Sequence, residues 1–166
     1  ALALLHRVEA EGAPADRIDD AVLAEGRLLQ KMGLAQRAMH RLKDRRPKTA
    51  GVRAAVEMEI EIARCAVALD HPEDARRLLE GAAAHLDPGP LARRVSAELA
   101  DVHLVLGRIQ EAASLARSVL AEDPAPAVRR HALQTLGKAY LARRDYDRAA
   151  IAFAGKVPDL KEGDQP

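Results

Sequence analysis

The apolar positions of this chain recur with a helical period. Ile62, Ala66 and Leu69, then Leu99 and Leu106, then Leu133, Leu136 and Tyr140 follow at spacings of three, four or seven residues, so each set falls on one face of an α-helix. Proline and glycine gather between these segments, at Gly12-Ala13-Pro14, Arg46-Pro47, Pro88-Gly89-Pro90, Pro124-Ala125-Pro126 and Pro158. Such breaks divide the chain into short helices joined by tight turns. The pattern predicts an all-α chain of nine helices: a lone one over 1–11, then four helical hairpins over 17–47, 51–86, 91–123 and 127–157. Asp16 and Asp19 are candidate caps for the second helix, Asp70 or His71 with Pro72 opens another, and Asp145 suits the start of the last. Gly33 and Gly107 supply a permissive backbone between helices.

A register overlies this pattern. Ala1, Ala38, Ala75, Ala112 and Ala149 stand 37 residues apart. Twelve residues before the later four stands a second small residue: Gly26, Ala63, Ala100 and Gly137. A single globular domain has no reason to keep such a spacing, whereas stacked units must each meet the next in the same geometry. Small residues at both places predict two antiparallel helices touching there. The units are a half repeat over 1–13, repeats over 14–48, 49–87, 88–124 and 125–158, and a tail over 159–166, all in one array.

The last unit reads Leu133-x2-Leu136-Gly137-x2-Tyr140, then Ala149-x3-Phe153, then Pro158. It resembles a tetratricopeptide repeat, W-x2-L-G-x2-Y…A-x3-F…P, with Leu133 in place of the tryptophan and the proline early. The third unit is similar through Leu99-Ala100, His103, Leu106-Gly107, Ala112 and Pro124; the first two keep the small positions. The period exceeds the family's usual 34 residues, and the excess is expected in the linkers between hairpins.

The resemblance implies a right-handed α-solenoid of stacked antiparallel hairpins that binds protein without chemistry, cofactor or metal. In such arrays the first helix of each hairpin lines the concave face, where extended peptides or partner helices lie. The register then points to Arg27, Gln30 and Lys31; Ile60, Glu61, Arg64 and Val67; Arg94, Glu98, Asp101 and Leu104; and Gln134, Thr135, Lys138 and Leu141. Members that grip an acidic chaperone tail use lysines with two asparagines; this chain has no Asn, and Lys31 and Lys138 belong to distant units.

Composition fits helix-on-helix packing. The chain is 48% hydrophobic but only 2% aromatic, so Ala and Leu must fill its core. A formal net charge of +1 argues against a general nucleic-acid binder. No apolar run approaches the ~20 residues that span a bilayer. The alanine- and arginine-rich, Asn-free composition fits a high-GC bacterial source. A cytoplasmic and a periplasmic setting fit equally.

Other candidate chemistry is weak. His6, His40, His71, His85, His103 and His131 are scattered without a ligand spacing. Glu57, Glu59 and Glu61 alternate along a helix and are expected on a solvated face. Cys65 lies in an apolar helix and is expected to be a buried small hydrophobe. The basic run Arg41-Leu42-Lys43-Asp44-Arg45-Arg46-Pro47-Lys48 closes a helix, where positive charge complements the macrodipole. It has no aromatic residue for base stacking.

Ala1 falls in the register at the start of a second helix, and the next repeat would start near position 167. The chain therefore reads as part of a longer array, a scaffold in secretion or envelope assembly or a segment of a large regulator. The alternatives are an accessory domain of an enzyme and a module that self-associates through open array ends.

Overall fold

The computed structural model describes residues 13–49 and 51–159, apart from the side chain at position 47. The helix expected over 1–11, and with it Ala1, lies outside the described residues. Among those described, all regular structure is helical: α1 (Ala15–Lys31), α2 (Ala35–Arg45), a 3-10 turn (Arg46–Lys48), α3 (Val52–Ala68), α4 (Pro72–Ala84), α5 (Pro90–Val105), α6 (Ile109–Ala121), α7 (Pro126–Ala142) and α8 (Tyr146–Phe153). The chain divides into two compact units, Ala1–Leu78 and Leu79–Pro166.

The period is written into the main chain. Gly33, Asp70, Gly107 and Arg144 are each 37 residues apart, and all four have left-handed backbone, at φ 75°, 62°, 73° and 60°. The residue after each of them donates its amide back across the helix end: Leu34 to Leu29 O, His71 to Ala66 O, Arg108 to His103 O and Asp145 to Tyr140 O, every one at 2.9 Å. This is the Schellman closure, which satisfies carbonyls that a helix end leaves open. Asp70 and Arg144 adopt the conformation in spite of their Cβ atoms, whose presence there costs roughly 1–2 kcal/mol per residue.

Helix starts follow local rules. Proline opens α4, α5 and α7, at the position where its missing amide leaves no bond unmade. Asp145 caps α8 as the sequence suggests, accepting from the Arg148 amide at 3.2 Å. Asp16 and Asp19 do not cap α1. Its N-cap is Pro14, Asp16 sits in the first turn, and Asp19 lies deeper and is buried. The last helix is also shorter than the periodicity predicted. α8 ends at Phe153 rather than near 157, because Gly155 turns left-handed at φ 85° and the Lys156 amide closes on Ile151 O.

In unit 1 the core gathers Val22, Leu23, Leu29, Ala38, Leu42, Met58, Ile62 and Cys65, with Leu78 of α4 packed against it. In unit 2 it joins α5 to α8, and seven of its twelve buried members are alanines: 97, 100, 113, 116, 132, 139 and 149. Ala38, Ala75, Ala112 and Ala149 are all at most 1% exposed.

The second row of small residues has a more specific role than one small residue touching another. A Cβ placed on Gly26 would stand 3.0 Å from Leu42, four residues after Ala38. On Gly137 it would stand 2.7 Å from the ring of Phe153, four residues after Ala149. The first helix of the hairpin is hollowed to admit a large side chain from the second. Burying Leu42, which is wholly inaccessible, contributes about 1.5–3 kcal/mol.

The turns provide a clean test. A Cβ at Gly107 would meet nothing within 4 Å, so Gly107→Ala isolates the backbone term. It should destabilise by about 1 kcal/mol, read as a lower urea midpoint with unchanged slope. An unchanged midpoint would contradict the left-handed turn.

Candidate partner-binding surface

The first helices of the hairpins, α1 and α3 in unit 1 and α5 and α7 in unit 2, carry the face on which the register placed a partner. In unit 1 that face is organised by buried carboxylates. Arg27 of α1 donates from Nε to Glu61 Oε1 and from Nη2 to Glu57 Oε2 of α3, both at 2.7 Å. Gln30 adds Nε2 to Glu61 Oε2 at 3.2 Å, and Arg64 reaches the Glu61 carboxylate at 3.3 Å. Burial works to lower the Arg27 pKa, but the hydrogen bond and charge of Glu61, with Glu57 beside it, outweigh burial and hold the guanidinium above its ordinary value.

Unit 2 repeats the contact with altered chemistry. Asp101 of α5 lies 3.3 Å from the Thr135 hydroxyl of α7 and accepts from Lys138 Nζ at 3.2 Å. Arg27–Glu61 and Asp101–Thr135 both span 34 residues and join successive first helices at the same level of the repeat. One register position thus carries a base in unit 1 and an acid in unit 2.

The predicted surface residues divide by exposure. Lys31, Arg64, Gln134, Lys138 and Leu141 are exposed, and Arg27, Gln30, Val67, Arg94, Asp101 and Leu104 are half-buried. Four of the positions are not surface at all. Ile60 is wholly inaccessible, Glu61 and Thr135 are 1% exposed, and Glu98 is buried. Ile60 belongs to the buried core, and Glu61 and Thr135 are taken up by contacts with the neighbouring first helices.

Two charge patterns also differ from expectation. Glu57 and Glu61 do not lie on a solvated face: four residues apart, they share one buried helix face and both take Arg27. Glu59, pointing elsewhere, takes Arg46 at 2.6 Å. The basic run does more than close a helix. Arg41 pairs with Glu25 at 2.9 Å and Arg45 with Asp19 at 2.7 Å, both carboxylates of α1, and Thr49 donates to Asp19 at 3.1 Å.

Alongside this face, α1 and α3 enclose a groove of about 690 Å³. Ala15, Leu23, Gly51 and Ala54 form its apolar wall, and Asp16, Asp20, Arg27 and Arg53 its polar one. Arg27, fixed by two carboxylates, keeps 42% of its side chain accessible. Beneath the network Cys65 is wholly buried, and burial, reinforced by the charge of Glu61, pushes its thiol up to about 11. Among the described residues no group of His, Cys, Asp and Glu is arranged to hold a metal ion.

A solved structure is similar in fold. Nearly identical TPR-like repeats from Podosopora anserina, described as belonging to a kinesin light chain, superpose over 80% of this chain and 70% of that one, with a TM-score of 0.65 and 23% sequence identity. The fold is that of tetratricopeptide-like repeats. No protein-family model and no curated protein matches the sequence.

Two outcomes follow. Asp19 is 5% accessible at its side chain, so Arg45→Met strands a buried charge and should cost about 3–5 kcal/mol in urea unfolding. Replacing Asp19 by Leu as well should recover most of the loss, whereas a cost below 1 kcal/mol for the single change would show the pair to be a surface one. For Cys65, the folded thiol titrates above its ordinary value near 9, so its contribution to stability is complete below pH 9 and falls away between pH 9 and 11. Cys65→Ala should flatten that part of the stability profile, and the native thiol should resist alkylation at pH 8.

Proposed function

We propose that the chain is a non-catalytic protein-interaction module that holds an extended peptide or a helix of a partner protein on the face of its first helices. The fold supports a binding role, and the groove between α1 and α3 is the observation that carries the reading. It is partly apolar and edged by charges of both signs. Arg27 is already fixed at its wall by Glu57 and Glu61, so a partner that uses it spares the entropy of ordering it. Asp16 and Asp20 are exposed along the same helix, α1, and suit a basic side chain on the bound segment. Taken by itself, unit 2 carries a mixed surface of the same kind at Asp101, Lys138, Gln134 and Leu141. A scaffold in a bacterial secretion, envelope or regulatory assembly fits this reading.

Selection from a random peptide library on the immobilised protein tests it. Recovered peptides should carry Lys or Arg, and the variant D16K/D20K should bind them at least about tenfold more weakly with an unchanged melting curve, a loss of about 1.4 kcal/mol. Failure to recover any binder, or equal binding by the variant, would overturn the assignment of this groove.

A further inference from the structure

The charges that line the α1–α3 groove fall into two groups. Asp19, Arg27 and Glu57 are committed within the fold: Asp19 pairs with Arg45 and Arg27 with Glu57, both at 2.7 Å. Asp16, Asp20 and Arg53 line the same groove, are exposed, and enter no ion pair among the described residues. Their relative placement is set by the helices that carry them. Asp16 and Asp20 stand about one turn apart on α1, about 6 Å along its axis. Arg27 meets residues 30 and 34 places later on α3, so the two helices lie side by side at that offset. Arg53 falls 33 places after Asp20, within the same offset, and therefore stands across the groove from it. The α1 side of the groove offers two acids and the α3 side one base.

The width of the groove selects the shape of what fills it. Packed helices have axes about 8–10 Å apart. A further helix, about 10–12 Å across with its side chains, would ride on the rims and leave Leu23 and Ala54 uncovered between them. A strand is slimmer, about 4.8 Å from its neighbour in a sheet, and turns successive side chains to opposite sides. Its residues two apart recur every ~6.6 Å, close to the rise from Asp16 to Asp20. The segments outside the described residues do not supply matching charges. Residues 1–12 hold Arg7 as their one Lys or Arg, with Glu9 and Glu11, and residues 160–166 hold Lys161 as theirs. Lys43-Asp44-Arg45 alternates in sign, but it is wound into α2 with Arg45 held by Asp19.

We propose that the groove takes an extended segment of a partner protein in which basic and acidic side chains alternate. Two basic side chains, two residues apart, meet Asp16 and Asp20 of α1, and an adjacent acidic one turns the other way to meet Arg53 of α3. The assignment rests on the reading of this groove as the partner site and adds to it the conformation and charge order of the bound segment.

Two labelled peptides of one composition serve as probes, AKEKEKA with its charges alternating and AKKKEEA with them in blocks. Both are too short to form stable helices in water. Their binding to the whole chain is followed by fluorescence anisotropy. The alternating peptide should bind at least about fivefold more tightly than the blocked one. Arg53→Glu should weaken it at least about fivefold, although the change makes the protein more acidic and the peptide carries net positive charge. Arg53 is exposed near the start of α3, so its replacement should leave the melting curve unchanged. Equal binding of the two peptides, or tighter binding by Arg53→Glu, would show attraction by bulk charge and overturn the charge order. No binding of the alternating peptide at millimolar concentration overturns it too. Tighter binding of a helix-forming peptide of about 15 residues with lysines four apart overturns the extended form. D16K/D20K separates these failures from failure of the groove itself. Peptides that bind without charge order but are lost in that variant leave the groove standing, whereas binding indifferent to it overturns both.

Discussion

Everything in this molecule depends on how closely two helices of a hairpin approach. With three aromatic residues in the whole chain, bulk cannot hold the helices apart and fill the space between them. The unit 2 core is built mainly from alanines that bring backbones together, the unit 1 core mainly from aliphatic side chains, and in each a large side chain is sunk into a hollow in the facing helix. Leu42 over Gly26 and Phe153 over Gly137 are the same device, but they differ in freedom. Leu42 is sealed, whereas Phe153 is half exposed and has room to give way. The first hairpin is therefore the less forgiving of change at its glycine.

Close approach dictates the electrostatics as well. Helices so near one another bury whatever stands at the margins of their faces, and here the margins of the first helices in unit 1 are acidic. Asp19, Glu25, Glu57 and Glu61 would be costly there alone. Each is met by an arginine whose long stem starts on another helix or farther along its own. These pairs set register between helices that alanine contacts alone would let slide.

How much of this could be read from the sequence follows from the range of each interaction. Helix faces, breaks and the repeat are local or periodic, so the hairpins, the buried alanine row, the helix start at Pro72 and the Asp145 cap were legible. The buried carboxylates were not. Whether Glu57 is solvated depends on what lies opposite, and a helical spacing says only which residues share a face with it. The left-handed turns at Asp70 and Arg144 were hidden for a related reason: neither residue favours that conformation, and the hydrogen bonds that impose it come from the helix end. The depth of positions on the first helices was hidden as well. Ile60, Glu61, Glu98 and Thr135 were assigned to the surface because a period gives direction but not depth.

The burial of Cys65 has a practical side. It is the one cysteine in the sequence, and the packed helices around it leave its thiol inaccessible. A cysteine introduced at Lys31 or Gln134 would then be the sole reactive thiol of the native protein, without prior removal of the natural one. A photo-crosslinker attached there would report from a single known point of the first-helix face, and whatever it captured would carry that address.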